Sequence, residues 1–259
     1  SIQWVVSGYA LSFGMFLVAA GRLGDVTGRR RVLVWGVSLF TLGSALSGIA
    51  PTAEMLIAAR VLQGFGSGLL NPQSTGIIQQ YFSGQARARA YGWFGTTVAI
   101  ATMIGPVIGG FLIQIFGDAL GWRMMFLLNI PLGAFAIFAA LRWIPNDRHA
   151  PQLTPEGKKK RSDLDPVGTI LLAISIFAMM WPFVERSGTW ASWSMLGIGL
   201  VLLVVFVRWE ARYKAVGRPP MLDLHLFKET AFRNGIFIVM FYFMGNTSIW
   251  FIVPVYMQV

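Results

Sequence analysis

The sequence predicts an all-α fold, a polytopic bundle of about eight membrane-spanning helices, and three observations carry that prediction. The 259 residues are 55% hydrophobic and only 12% charged, where a soluble domain carries about 25% charged residues. The apolar residues fall into runs of about 20, the length that crosses the hydrocarbon core of a bilayer. The basic residues gather on alternate connections between those runs, the pattern that orients helices across a membrane.

The runs cover 3–20, 32–50, 54–78, 90–116, 122–143, 166–184, 194–209 and 232 to about 258. Between them, 18 of the 21 basic residues occupy four connections. Arg22, Arg29, Arg30 and Arg31 follow the first run, and Arg87 and Arg89 follow the third. Six more lie in the connection after the fifth, with a KKKR run at 158–161, and six follow the seventh. The intervening loops hold Arg123 and Arg186, and Arg60 lies inside a run. The basic loops are therefore expected in the cytoplasm, and one missed span would scramble the alternation. Trp4, Trp122, Trp143, Trp190, Trp193 and Trp209 stand near run ends, where an amphipathic ring suits headgroup depth. The opening at Ser1, with Gln3 and Trp4 leading into an apolar run, and the stop at Val259 predict a fragment of a longer chain.

The net charge of +10 follows the loops rather than a face or stripe, which argues against nucleic acid as a partner. Cysteine is absent, which excludes disulfides and thiol chemistry. His149 and His225 sit in polar connections, and no His/Asp/Glu group has metal-ligand spacing, so no metal is expected. No nucleophile–base constellation and no GxxxxGK[ST] phosphate loop is present. These absences argue against an enzyme and an ATP-driven pump.

Four features carry chemistry. In the first basic loop, Gly21-Arg22-Leu23-Gly24-Asp25-Val26-Thr27-Gly28-Arg29-Arg30-Arg31, glycines allow a tight link. An aspartate among arginines can exchange ion-pair partners, which suits a latch between moving lobes; a purely topogenic turn is the alternative. In the third run, Arg60, Gln63, Ser67, Asn71 and Ser74 recur every three or four residues and form one polar stripe. An arginine within an apolar span costs at least about 2.5 kcal/mol on insertion scales, so it is expected to face a cavity or partner; snorkelling to the outer end is the alternative. In the fourth run, Gly105, Pro106, Gly109 and Gly110 permit close helix contact and favour a kink. Asn129, Tyr242 and Asn246 add polarity elsewhere and are cavity candidates, with interhelical hydrogen bonds as the competing reading. The connection at 145–165 reads as a topogenic, lipid-facing charge cluster.

One echo crosses the chain. Gly24-Asp25-Val26-Thr27-Gly28-Arg29-Arg30 and Gly117-Asp118-Ala119-Leu120-Gly121-Trp122-Arg123 both read G-D-x-x-G-x-R, 93 residues apart. An inverted repeat of three helices would produce it, and so could chance over seven positions.

These motifs resemble the major facilitator superfamily. The loop at 21–31 resembles its G-x-L-A/S-D-x-x-G-R/K-R/K signature, with Gly24 in place of Ala or Ser and Val26 in place of a basic residue. Arg60, Gln63 and Gly64 resemble its R-x-x-Q-G motif, which implies a role in proton coupling. Gly105, Pro106, Gly109 and Gly110 match G-P-x-x-G-G, typical of its antiporters. The stretch from Trp122 to Pro131 looks like the start of helix 6 in multidrug exporters with 14 helices.

The resemblance divides the chain into helices 2–6 of an N-terminal lobe (1–144), a cytoplasmic connection (145–165), two inserted linker helices (166–210), a second connection (211–231) and the first helix of a C-terminal lobe (232–259). The implied function is proton-coupled export of small hydrophobic or cationic compounds by alternating access in the cell inner membrane. The rivals are a transporter specific for one metabolite and a transporter-fold receptor. The implied partners are a small-molecule substrate and the lipid bilayer, with docking of a periplasmic adaptor protein left open. No cofactor is implied beyond protons as coupling ion. No Asp or Glu lies at mid-membrane depth, so the proton-carrying carboxylate is expected outside this stretch.

Overall fold

In the computed structural model, residues 2–146, 165–185, 189–218, 220–222 and 224–257 are described. Eight α-helices follow one another among them: α1 Ile2–Thr27, α2 Arg29–Ile49, α3 Ala53–Tyr81, α4 Gly84–Leu127, α5 Asn129–Trp143, α6 Pro166–Val184, α7 Trp190–Ala215 and α8 Thr230–Met257. A 3-10 helix, Leu224–Lys228, precedes α8, and no strand occurs among the described residues. The readings placed on His149, the KKKR run and Arg186 lie outside the described residues.

Local chemistry sets the boundaries. Gly28, at φ 100°, separates α1 from α2 with a conformation that L side chains avoid. The Thr52 side chain accepts from the Met55 amide at 3.3 Å and caps α3, with Glu54 in the first turn. Asp165 caps α6 in the same way, accepting from the Gly168 amide at 2.9 Å, with Pro166 at the first helical position.

The fourth and fifth runs are segmented differently from their apolar pattern. Helical hydrogen bonding runs from Gly84 to Leu127, but Gly117 (φ 72°, ψ 171°) breaks the path. The chain folds back there. A Cβ on Gly121 would meet the Ile113 Cα at 2.6 Å, and one on Gly109 would meet the Met125 Cε at 3.2 Å. Pro131 has no amide to offer Leu127, and the helix is interrupted at Leu128 before α5 begins.

Helix α3 is the centre of the first helices because its glycines admit two neighbours. Gly64 lies against the Tyr9 carbonyl of α1, and Gly68 lies 3.0 Å from the Phe13 oxygen, measured from the position of an added Cβ. On the other side Gly66 meets the backbone of Phe40, while Gly36 and Gly43 of α2 approach the amides of Leu70 and Gln63, both at 2.7 Å on the same measure. Small residues on both sides of a contact let helices pack by van der Waals approach where lipid supplies no hydrophobic drive. Helix α6 packs on α1, with the Trp4 and Trp181 rings 5.5 Å apart, and Ser175 of α6 donates to the Gly199 carbonyl of α7 at 2.8 Å.

The outer surface is apolar. Trp93 (75% exposed), Val107 (70%) and Phe111 (60%) stand out from α4, a distribution that water would penalise and acyl chains accept. Five helical runs are long and apolar enough to cross a membrane: Trp4–Thr27, Arg29–Ile49, Gly84–Trp143, Pro166–Val184 and Trp190–Ala215. The third, 60 residues long and broken at Gly117, contains two of the expected crossings. Helix α3 has the length for another, but its polar stripe lowers its hydropathy, and α8 shows a shorter apolar stretch, Thr230–Gly245. The chain is a multi-pass membrane protein. It divides into two compact units, 1–206 and 207–259.

Candidate functional site

The polar stripe of α3 turns into a network inside the first unit. The Arg60 Nε donates to the Val5 carbonyl of α1 at 3.0 Å, and its Nη1 donates to Gln63 Oε1 at 2.7 Å. Gln63, 2% exposed, donates in turn from Nε2 to Ser44 Oγ of α2 at 2.5 Å. Asn129, at the start of α5, donates to the same Ser44 oxygen at 3.0 Å. One chain of hydrogen bonds thus ties α1, α3, α2 and α5. The Arg60 guanidinium carbon also lies 4.3 Å from the centre of the Tyr9 ring and 5.7 Å from that of Phe126. No described carboxylate pairs with it, so its charge is held by a carbonyl, an amide and two aromatic faces.

Not every stripe member joins. Ser67, 6% exposed, hydrogen-bonds the Tyr9 hydroxyl at 2.8 Å. Gly64 supplies the close approach to α1 described above. Ser74 bonds only its own helix, at the Leu70 carbonyl (3.4 Å), and Asn71 is exposed. The network is therefore confined to the Arg60–Ser67 half of α3.

The glycine-arginine loop is compact. Asp25, in the last turn of α1, pairs with Arg29, in the first turn of α2, at 2.5 Å. Arg31 lies 5.9 Å from the Trp35 ring. The loop rests on the far end of α3: Gly21 faces Pro72, Gly24 faces the amide of Gln73, and the Arg29 guanidinium covers Gly76, which has no side chain to block it. Gln73 is fully buried and donates to the Ala20 carbonyl at 2.7 Å.

Arg30 does something else. Its Nη2 donates to the Leu141 carbonyl at the C-terminal end of α5, at 2.5 Å. Arg123, its counterpart in the echo, donates from Nη1 to the Gly48 and Ala50 carbonyls at the C-terminal end of α2, at 3.1 and 2.6 Å. The offset that carries Arg30 to Arg123 also carries Gly48 to Leu141. The arginine of each copy thus caps the C-terminal end of a helix that follows the other copy, a reciprocity that an inverted repeat of three helices would produce.

Of the glycine-proline motif, Gly109 packs on Met125, whereas no atom lies within 4 Å of a Cβ placed on Gly105 or Gly110. Pro106 is exposed beside them. Tyr242, 66% exposed, lies in the second unit, edge-on to Phe243, and the side chain of Asn246 lies outside the described residues.

The family profile of the Major Facilitator Superfamily matches residues 1–259. The chain belongs to the Major Facilitator Superfamily. It is 34% identical, over 100% of its length and 44% of the relative's, to a protein of Streptomyces coelicolor called a probable actinorhodin transporter. It is 30% identical over 99% of its length to the multidrug transporter protein MdtP of Bacillus subtilis, covering 45% of that protein. It is likewise 30% identical over 99% of its length to the riboflavin transporter RibZ of Clostridioides difficile, covering 52% of that protein. The chain thus spans about half the length of the curated relatives it matches. These relatives are named as transporters.

Ser44, Tyr9 and Gln73 of this superfamily member escaped sequence reasoning. Ser44 looks like one more small residue of an apolar run, and only its place beside Gly43 hinted at a tight contact. Tyr9 sits in a run that reads as lipid-facing. Gln73 lies one residue off the polar stripe, and a glutamine in the middle of an apolar helix was the signal that could have found it.

Proposed function

We propose that the protein containing this chain is a proton-coupled exporter of small hydrophobic or cationic compounds in the bacterial inner membrane, working by alternating access. The observation that carries the reading is the network of Arg60, Gln63, Ser44 and Asn129. It holds a fixed positive charge inside a membrane bundle with no described carboxylate beside it. Such a charge favours the ionised form of any acid that approaches from the rest of the protein, and so sets the step at which a proton is taken or released. The Gly21–Arg31 loop serves as the latch that holds one access state by meeting the other lobe, and the Asp25–Arg29 pair and the Arg30 cap keep it in shape within its own lobe. On this reading 1–144 are helices 2–6 of an N-terminal lobe, 166–210 two inserted helices and 232–259 the first helix of a C-terminal lobe. The match to G-P-x-x-G-G and the names of the actinorhodin and multidrug relatives support export.

A second reading, a transporter specific for one metabolite, is favoured by the likeness to RibZ. Dye accumulation in inverted vesicles carrying the full-length protein, the direction that corresponds to export from the cell, separates the two. Export of several unrelated cationic dyes that collapses with the pH gradient supports the first, and transport of a single compound supports the second. Arg60→Ala is expected to abolish gradient-driven efflux while leaving the protein in the membrane. Unchanged efflux removes Arg60 from the coupling step.

A further inference from the structure

We propose that Ser44 of α2 is a positioning residue for Arg60: it fixes which end of the Gln63 amide faces the guanidinium, and so sets where the remaining nitrogen of Arg60 points. The proposal rests on the coupling role given to Arg60 above. A guanidinium has only donors, so the Gln63 atom that meets Arg60 Nη1 at 2.7 Å is the carbonyl oxygen. The amide NH2 then points the other way and needs an acceptor, which Ser44 Oγ supplies at 2.5 Å. A hydroxyl oxygen has a second lone pair, and this one takes the Asn129 amide at 3.0 Å. The acceptor is held in place. Ser44 is 0% exposed, and beside it Gly43 brings α2 so close that an added Cβ would lie 2.7 Å from the Gln63 nitrogen.

The guanidinium is thus pinned at two points, Nη1 by Gln63 and Nε by the Val5 carbonyl at 3.0 Å. Nη2 makes no hydrogen bond among the described residues and is the nitrogen left to meet an acid. Around it α1 presents the Tyr9 ring and α4 the Phe126 ring, while α2 and α5 reach the network with Ser44 and Asn129. Tyr9 is the one titratable side chain among these, and Glu54 of α3 is exposed in the first turn. Without the Ser44 hydroxyl the buried Gln63 NH2 loses its acceptor. A half turn of the amide then sets donor against donor at Arg60, and one of the two pins is lost. An acid arriving from the rest of the protein is ionised less readily as Nη2 swings away from it.

The pH profile of transport tests this, because a merely structural loss lowers the amount of active protein and leaves the midpoint where it was. Ethidium accumulation in inverted vesicles carrying the full-length protein is measured at a fixed pH gradient and varied absolute pH. Ser44→Ala weakens the hold on the ionised acid, so its midpoint should rise by about 0.5–1 pH unit. Ser44→Cys keeps the volume, offers only a weak sulfur acceptor and should move the midpoint the same way, which serves if Ser44→Ala does not fold. Gln63→Leu should give a like shift, and Ser44→Ala added to it should contribute less than about 0.2 unit, because Ser44 acts through Gln63. Ser47→Ala removes another fully buried hydroxyl of α2, one with no hydrogen-bond partner among the described residues, and should leave the midpoint in place. An unmoved midpoint in both Ser44 variants, additive shifts in the double variant, or an equal shift in Ser47→Ala overturns the proposal. Arg60→Ala run beside them separates the two failures. If it abolishes gradient-driven accumulation while the Ser44 profiles stay at wild type, only the positioning role falls. If it changes nothing, the coupling role of Arg60 falls and takes the positioning role with it.

Discussion

Arg123→Ala opens the C-terminal end of α2. The wild-type guanidinium gives two bonds to the Gly48 and Ala50 carbonyls, at 3.1 and 2.6 Å, and lies 4.4 Å from the Trp122 ring. A hydrogen bond from a charged donor contributes about 1.5–3 kcal/mol net when its partner is then left unsatisfied. A cation at a helix C-terminus adds about 0.5 kcal/mol through the macrodipole, and an exposed cation–π contact adds a similar amount. Arg123 is half-buried, so water replaces part of both bonds, and the expected net loss is about 3 kcal/mol. For a chain of this size that corresponds to a fall in melting temperature of about 8 °C. Arg30→Ala removes one solvent-exposed bond and should cost about 1 kcal/mol. The two caps lie at opposite ends of α2, separated by about 30 Å, so the double variant should lose the sum to within about 0.5 kcal/mol. Melting of detergent-solubilised protein, followed by fluorescence-detected size-exclusion chromatography, reads all three. A shift below about 2 °C for Arg123→Ala, or strong non-additivity in the double variant, would refute independent reciprocal caps.

Two further outcomes follow from the packing. Ser44→Ala leaves the Gln63 and Asn129 amides without their common acceptor in a buried setting and should destabilise by about 1–3 kcal/mol, measured in the same melting assay. Gly66→Ala drives a methyl group into the backbone of Phe40 and should cost about 1–3 kcal/mol, whereas Gly95→Ala meets nothing within 4 Å and should stabilise α4 by up to about 1 kcal/mol; equal effects would sink the assignment of α3 as the close-packed centre.

How much was legible in the sequence depended on the range of the interaction. Helix existence rests on local hydropathy, and the apolar runs appear as helices with ends displaced by a few residues. The fourth and fifth runs were read as separated by a loop at 117–121, yet the break is a single glycine, Gly117, followed at once by helix, because one residue at positive φ suffices to reverse the chain. The polar stripe of α3 was visible as a period. Its termination between Ser67 and Asn71 was not, because beyond Ser67 it is Gln73 and Gly76, and not Asn71, that face α1 and the glycine-arginine loop. The echo of G-D-x-x-G-x-R was visible as letters, but its meaning lies in carbonyls at the far ends of two helices, and a backbone oxygen has no sequence signature. Ser44 became a hub only through two partners brought from distant stretches, Gln63 and Asn129, which no local pattern encodes.

Gly24 and Gln73 sit on different helices, yet the amide of one occupies the volume that a methyl group on the other would need. A lineage that restores alanine at position 24 must shorten the side chain at 73 or turn its amide aside, and turning it aside gives up the bond to the Ala20 carbonyl. The two positions are therefore expected to change together. A chimera that receives the loop of an alanine-bearing relative without its matching third helix would inherit half of a lock.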